Sequence, residues 1–111
     1  MGAFAADSVV LVPFPFSDLS QSKLRPAVAL AAAGRRDWVL CQITSKPYGD
    51  PRALEITHAD FQQGNLRLDS WVRPAKLFTA HESLFVIEIG QMKDGTLRRI
   101  VDQVISVIQS G

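Results

Sequence analysis

Short apolar runs separated by polar turns fill most of the chain, and its last segment has a different period. Apolar runs of about four to eight residues bounded by Gly, Pro, Asn, Asp or Ser are typical of β-strands. Gly34, Arg35 and Arg36 separate the second and third runs, which predicts a hairpin there, and Pro13 and Pro15 end the first run. Strands are predicted over residues 9–14, 26–33, 37–44, 53–56, 71–78 and 84–89.

Two segments have helical signals. Thr57, with Asp60 three residues later, fits a capping box and predicts a short helical turn through Phe61 that ends near Gly64. Residues 96–109 are predicted to form an amphipathic helix that packs on the sheet, with Asp94 as its cap. The helical spacing is carried by Leu97, Ile100, Val101, Val104 and Ile108.

The elements predict a mainly β chain with helices, of the α+β class. Many short strands and one terminal helix favour a small β-barrel or curled sheet. The 111 residues, 47% of them hydrophobic, fit a single domain over 1–111 with a core that needs neither metals nor disulfides. This composition excludes a disordered tail, and the length excludes a large multidomain enzyme.

A single cysteine, Cys41, excludes an internal disulfide and a multi-cysteine zinc site. It lies in an apolar run and is predicted to be a small buried residue. No apolar stretch reaches the roughly 18–20 residues of a membrane span, and the first residues lack the basic region of a secretory signal. We therefore expect a cytoplasmic protein without a membrane partner.

Charge is more informative by position than in total. The 12 Lys and Arg residues against 11 Asp and Glu residues give a net charge of +1, which argues against binding nucleic acid by bulk attraction. Residues 1–49 carry +2, residues 50–92 carry −2 and residues 93–111 carry +1. Several basic side chains fall where predicted loops meet strands or within the predicted strand 71–78, and they form either a local basic cleft or an ordinary solvated rim. They are Lys23, Arg25, Lys46, Arg73 and Lys76.

The two histidines, His58 and His81, are the obvious acid–base candidates. Neither has the spacing of a metal ligand, and both lie in predicted turns, where a solvated histidine is the simpler interpretation. The sequence contains no phosphate-binding loop, dinucleotide fingerprint or nucleophile elbow. No metal or cofactor is predicted.

Four segments, in the same order and spacing, resemble the MazF/PemK toxins. The resemblance covers nearly the whole chain and is completed by residues 89–92 and the terminal helix. The segments are the opening strand at 7–14, the Arg-Pro-hydrophobic strand at 23–30, the Ile-Thr-Ser strand end at 41–45, and the region 69–79.

This resemblance implies a toxin of a type II toxin–antitoxin pair with an SH3-like β-barrel and a C-terminal helix. It also implies a homodimer, a metal-independent endoribonuclease and an antitoxin that blocks the site. Many members of the family cut single-stranded RNA to leave a 2′,3′-cyclic phosphate and a 5′-hydroxyl. The 2′-hydroxyl is then the nucleophile, so the protein does not need to supply one.

The same resemblance assigns candidate site residues. Arg25 would stabilise the phosphate oxygens with paired hydrogen bonds, and the hydroxyls of Thr44 and Ser45 would position phosphate or relay a proton. Phe16 and Tyr48 are candidates for stacking on bases. The predicted RNA-binding residues are Lys23, Lys46, Tyr48, Arg73 and Lys76.

One position departs from the family pattern. Ala75 stands where some members have an aspartate that takes part in acid–base chemistry. A slow ribonuclease, or one in which Asp18, Glu82 or His81 substitutes, is therefore expected. Two alternatives stay open at this point: a module that binds RNA or an antitoxin without cleavage, and a gyrase-directed toxin of the same fold.

Overall fold

The computed structural model describes residues 4–47 and 49–111. Within them, seven strands form one antiparallel sheet in the order β4-β6-β3-β2-β1-β7-β5, followed by a helix. The elements are β1 (Ser8–Pro15), β2 (Ser22–Gly34), β3 (Asp37–Thr44), β4 (Leu54–Ile56), β5 (Phe61–Gly64), β6 (Ser70–His81), β7 (Ile87–Met92) and α1 (Asp94–Ser110). The mainly β class with a C-terminal helix is confirmed.

The sheet is curled into a half-barrel. Strands β4 and β5 form its opposite edges, yet residues 57–60 alone separate them in the chain. The five Cα steps across this connection span roughly 18 Å at most, so the two edges must approach each other. A 3₁₀ turn, His58–Asp60, makes the connection, and both hydrogen bonds of the predicted Thr57–Asp60 capping box are present.

Buried side chains lie on both faces of the sheet. On the face covered by α1, Ile100 and Val104 of the helix pack with Val9, Val28, Cys41, Ile43, Ile56, Phe61, Val72 and Met92. The opposite face contains Val10, Val12, Phe14, Ala27, Ala29, Leu40 and Ala80. The rings of Phe14 and Phe78 extend this second cluster, with centroids 5.5 Å apart. Strand alternation places the predicted apolar runs on these two faces.

Both hairpin and helix predictions are close to the structure. In the β2–β3 hairpin, Arg35 and Arg36 have φ values of 53° and 66°, which is the left-handed geometry of a two-residue turn matched to strand twist. Helix α1 begins at Asp94 and its N-cap is Lys93, so Asp94 as the cap is wrong. The Asp94 carboxylate lies in the first turn, where the helix dipole still favours it. Within the described residues, no helix is long and apolar enough to cross a membrane.

Several element boundaries differ from the predictions, among them the start of β2 at Ser22, four residues before the predicted strand, and the end of β6 at His81, three residues after it. The helical turn does not continue to Gly64, because residues 61–64 form β5 against β7. Gly64 and Gly90 are paired there, and a Cβ on Gly64 would overlap the carbonyl oxygen of Ile89. The last strand begins at Ile87, since Glu82–Leu84 is a 3₁₀ turn. Strand β1 continues through Pro13, which pairs with β2, while β7 ends its pairing at Leu11.

Candidate nucleic-acid interface

A cleft opens where strands β2 and β3 separate. Strand β2 pairs with β1 from Ser22 onwards, but its pairing with β3 starts at Ala27. Pro26 has no N–H to donate across this gap, which favours the separation. The end of β3 pairs instead with β6, through Ile43 and Thr44. The resulting cleft is about 470 Å³ and is lined by Lys23, Arg25, Pro26, Ile43, Thr44, Ser45, Lys46, Leu66, Arg67, Leu68 and Ser70.

A bulge of four residues in β6 brings further basic residues close to the cleft. Val72 pairs with Ile43 and Leu77 pairs with Cys41, so the residues from Arg73 to Lys76 stand opposite Gln42 alone. The Cys41 thiol donates a hydrogen bond to the Arg73 carbonyl, at 3.1 Å. Burial raises the pKa of Cys41 to about 12, so this thiol is not a nucleophile near neutral pH. The prediction that Cys41 is a small buried residue is confirmed.

The bulge side chains help to form a second cavity of about 170 Å³. Arg25 and Thr44 line this cavity as well as the cleft, so they stand between the two. The structure thus brings all three residues predicted to be catalytic, Arg25, Thr44 and Ser45, into the lining of the cleft. The second cavity is lined by Phe14, Pro15, Phe16, Ser17, Arg25, Gln42, Thr44, Arg73 and Lys76.

The Thr44 hydroxyl holds the turn at the end of β3. It accepts a hydrogen bond from the Lys46 backbone N–H and donates to the Lys46 carbonyl, each at 3.1 Å. These bonds stabilise the turn that places Ser45 and Lys46 along the cleft. Arg25 is half-buried and pairs with Val12 of β1, so its backbone is fixed by the sheet.

The charge of the two cavities is uniformly positive. Six of the chain's 12 basic residues line one or both, and no acidic residue does among the described residues. They are Lys23, Arg25, Lys46, Arg67, Arg73 and Lys76. Arg67 is not among the residues predicted for RNA binding, and it belongs to the acidic middle of the chain. No local signal marks it, because the loop before β6 reaches the cleft only through the fold.

A carboxylate lies immediately behind Arg73. The Oδ2 atom of Asp50 accepts a hydrogen bond from Arg73 Nε at 3.1 Å. Its Oδ1 atom accepts from the backbone N–H of Arg52 at 2.9 Å. The Arg52 N–H and the Arg73 guanidinium both lower the pKa of Asp50, so this carboxyl is ionised near neutral pH.

Position 75 is exposed at the rim of an apolar cavity. Ala75 lines this third cavity of about 380 Å³ together with Phe16, Leu19, Leu77 and others. The neighbouring Lys76 ammonium donates to the hydroxyl of Ser17. Phe16 borders both this cavity and the second one, whereas Tyr48, the other stacking candidate, lies outside the described residues.

The proposed substitutes for the missing acid lie elsewhere. His81 and Glu82 lie at the Asp37 end of β3, about 23 Å along the strand from Thr44 at roughly 3.3 Å per residue. Asp18 is fully exposed, and hydrogen bonds from the backbone N–H and hydroxyl of Ser20 lower its pKa. His58 is exposed in the 3₁₀ turn. In the described part of the chain, no cluster of His, Cys, Asp or Glu is suited to hold a metal ion.

Solved structures resemble this chain along nearly its whole length. The MazE–MazF crystal structure (Form-II) from Deinococcus radiodurans is 17% identical, covers 100% of both chains and has a TM-score of 0.73. An endoribonuclease in complex with its cognate antitoxin from a mycobacterial species is 13% identical, with 98% and 96% coverage and a TM-score of 0.71. The Mycobacterium tuberculosis toxin MazF-mt6 is 13% identical, with 92% and 96% coverage and a TM-score of 0.70.

Fold and site together define a class of small half-barrel proteins with a basic cleft where the sheet separates. No curated protein matches the chain significantly in sequence. The model of the PemK-like, MazF-like toxins of type II toxin–antitoxin systems matches residues 6–108. The chain belongs to this family, and the resemblance given by its sequence segments is confirmed.

Proposed function

We propose that this toxin is a metal-independent endoribonuclease that cleaves single-stranded RNA in the cleft between β2 and β3. The 2′-oxygen of the RNA attacks the adjacent phosphorus, and the bond from phosphorus to the 5′-oxygen breaks. One proton leaves the 2′-hydroxyl and one is taken up by the 5′-oxygen. The products carry a 2′,3′-cyclic phosphate and a 5′-hydroxyl.

The observation that carries this proposal is the position of Arg25 and Thr44 between two basic cavities. A strand of RNA that passes from one cavity to the other brings a phosphate past the Arg25 guanidinium. A planar, permanently charged guanidinium donates paired hydrogen bonds to the oxygens on which negative charge develops. The Thr44 hydroxyl holds the turn through its hydrogen bonds with Lys46, the Ser45 hydroxyl donates to the same phosphate, and the surrounding lysines neutralise its neighbours.

The test is cleavage of single-stranded RNA by the purified chain in the presence of EDTA. We expect products with cyclic phosphate ends, and a rate roughly 10²–10³-fold lower for Arg25→Ala, because one charge-stabilising donor is lost. Thr44→Val keeps the shape of the side chain but removes the hydroxyl, and a smaller loss of about tenfold is expected. Arg98→Ala, on the exposed side of α1, is the matched control and should cleave at the parental rate.

Parental cleavage by Arg25→Ala would contradict the assignment of this residue. A parental chain that cleaves no RNA would contradict the proposed activity. In that case the second candidate is a module that binds RNA without cutting it. The specific observation in its favour is Ala75, which removes the acidic side chain that some family members place at this position.

We also propose a cognate antitoxin and a homodimer for this chain. Two neighbouring cavities lined by six basic residues suit an acidic peptide, and related MazF structures contain an antitoxin. Exposed apolar residues on α1, Ile105 and Ile108, offer one surface for a second copy. The mass of the purified chain in solution, alone and with the antitoxin, measures both associations.

A further inference from the structure

The structure assigns a role to Asp50: we propose that its carboxylate positions Arg73 in the second cavity, beside Arg25 and Thr44. This role rests on the proposed ribonuclease function. The chain has Ala75 where some family members have an aspartate, and this carboxylate supports the site from a loop, through Arg73. Asp50 would act through Arg73 and not by contact with RNA.

The geometry of the Asp50 side chain fits a positioning role. Its side chain is 11% exposed, and that of Arg73 is 20% exposed. Both carboxylate oxygens are occupied, one by Arg73 Nε and the other by the Arg52 N–H. A carboxylate that is ionised has no proton to donate, and both oxygens of Asp50 already accept hydrogen bonds. Asp50 is therefore neither a general acid nor an exposed ligand.

The Asp50 backbone is also fixed on both sides. Its N–H donates to the Pro47 carbonyl at 3.0 Å, and its carbonyl accepts from Ala53 at 3.2 Å. The loop therefore presents the carboxylate in one orientation. Since the carboxylate is bound at Nε, it fixes the plane in which the Arg73 guanidinium lies.

Arg73 connects this carboxylate to the proposed reaction site. Its side chain lines the 170 Å³ cavity together with Arg25, Thr44 and Lys76. It also starts the β6 bulge, where ordinary strand pairing does not fix the backbone. A guanidinium at the end of a long side chain needs such support, because small errors in position cost much of its catalytic effect.

The inference is tested with Asp50→Asn, measuring RNA cleavage and RNA binding separately. We expect turnover to fall roughly 10–100-fold, because Arg73 loses the carboxylate that orients it. We expect the dissociation constant for a non-cleavable RNA, with deoxyribose at the cleavage site, to stay within about threefold or to decrease. The substitution removes a negative charge beside the cleft, and binding to phosphates follows net charge. A purely structural defect would weaken cleavage and binding together.

Two further variants make the test specific. Arg73→Lys keeps the charge but loses the planar fork, so it should lower turnover to a similar degree. Because Asp50 acts through Arg73, the double variant should cleave no more slowly than the slower single variant. Asp102→Asn makes the same change on the exposed face of α1 and should behave like the parent.

The outcomes separate this role from the proposed function. If the parent cleaves RNA and Asp50→Asn has the same turnover, the role of Asp50 is wrong while the ribonuclease proposal stands. The role is also wrong if the fold-losses of turnover in the two single variants multiply in the double variant. It is equally wrong if Asp50→Asn loses cleavage and RNA affinity to the same degree. If Asp50→Asn does not fold, Arg73→Lys decides, and parental turnover in that variant overturns the role.

Discussion

At the scale of single residues, Asp7 is in an unfavourable position. Its φ value is 87°, a region that asparagine and glycine occupy more readily than most residues. Its Oδ1 atom is buried and has no hydrogen-bond partner among the described residues. Burial, followed by the negative charges of Asp94 and Glu88, raises the pKa of this carboxyl. The folded state therefore holds a proton on Asp7 more tightly than the unfolded state does.

We predict that Asp7→Asn stabilises the protein at neutral pH. A raised carboxyl pKa means that stability from this group falls as the pH rises from the unfolded pKa through the folded pKa. Asparagine avoids the charge and tolerates the positive φ. The midpoint of thermal unfolding should increase by a few degrees near pH 7, since about 1 kcal/mol moves a domain of this size by roughly 4–8 °C.

The pH dependence distinguishes this explanation from a general gain in packing. Near pH 3, Asp7 is protonated in both the folded and the unfolded state. The difference in unfolding midpoint between Asp7→Asn and the parent should then shrink to the part that comes from the positive φ. A gap of the same size at both pH values would contradict the electrostatic explanation. Glu88→Gln, which removes one of the charges acting on Asp7, should give a smaller gain in the same direction.

At the scale of elements, the Asp60 side chain joins the 3₁₀ turn to α1. Its Oδ2 atom accepts from the Thr57 N–H at 2.8 Å. Its Oδ1 atom accepts from the Thr96 hydroxyl at 2.9 Å and from the Arg99 guanidinium at 3.1 Å. The Lys93 N–H, just before α1, donates to the Asp60 carbonyl at 2.9 Å. One residue thus fixes the β4–β5 connection and the start of the helix together.

We predict that Asp60→Ala lowers the free energy of unfolding by about 1.5–2.5 kcal/mol. This sum counts roughly 1 kcal/mol for the capping interaction and about 0.5–1.5 kcal/mol for the hydrogen bond from Thr96. Arg99→Ala should cost about 0.5 kcal/mol or less, because its side chain is 56% exposed. Denaturant unfolding measures both values, and Asp69→Ala, an exposed aspartate near the cleft, is the control. Equal stability of Asp60→Ala and the parent would contradict this role.

Sequence patterns predicted the elements well where local rules decide them. The capping box at Thr57 and the helical spacing of α1 depend on neighbours within about four residues. The same rules failed for residues 61–64, because β5 exists through its pairing with β7 and the Gly64–Gly90 contact. The site followed the same division. Arg25 and Thr44 were predicted from their segments, whereas Arg67 reaches the cleft, and Asp50 reaches Arg73, from loops whose placement only the fold determines.

At the scale of the whole molecule, the chain is nearly neutral, but its basic and acidic residues lie in different places. Six basic residues gather around two connected cavities, and the 11 acidic residues lie outside their linings among the described residues. The net charge of +1 therefore understates the local attraction for phosphates. The acidic middle of the chain nevertheless contributes Arg67, Arg73 and Lys76 to the site.

We predict that Arg67→Ala weakens RNA binding in a salt-dependent way. The logarithm of the RNA-binding constant falls linearly with the logarithm of the salt concentration. If Arg67 contacts one phosphate of a single strand, Arg67→Ala makes this slope less negative by about 0.7. The affinity should fall several-fold at about 0.1 M salt and differ less at high salt. Arg98→Ala removes the same charge from the outer side of α1 and should leave the slope unchanged. A slope that is equal in the parent and in Arg67→Ala would exclude a phosphate contact.

The order of the strands has a consequence for how the chain folds. The hairpins β1–β2 and β2–β3 form between neighbouring segments, whereas β7 must find β1 across about 80 residues of chain. Contacts of such high sequence separation slow folding, since loop closure precedes their gain in free energy. Strands β4 and β5 are joined by four residues, but they become the opposite edges of the sheet only after β6 and β7 have docked on either side of the central strands. The hydrogen bonds from Asp60 to Thr96 and Arg99 of α1 therefore form after the folding barrier has been crossed. Asp60→Ala should act mainly by accelerating unfolding.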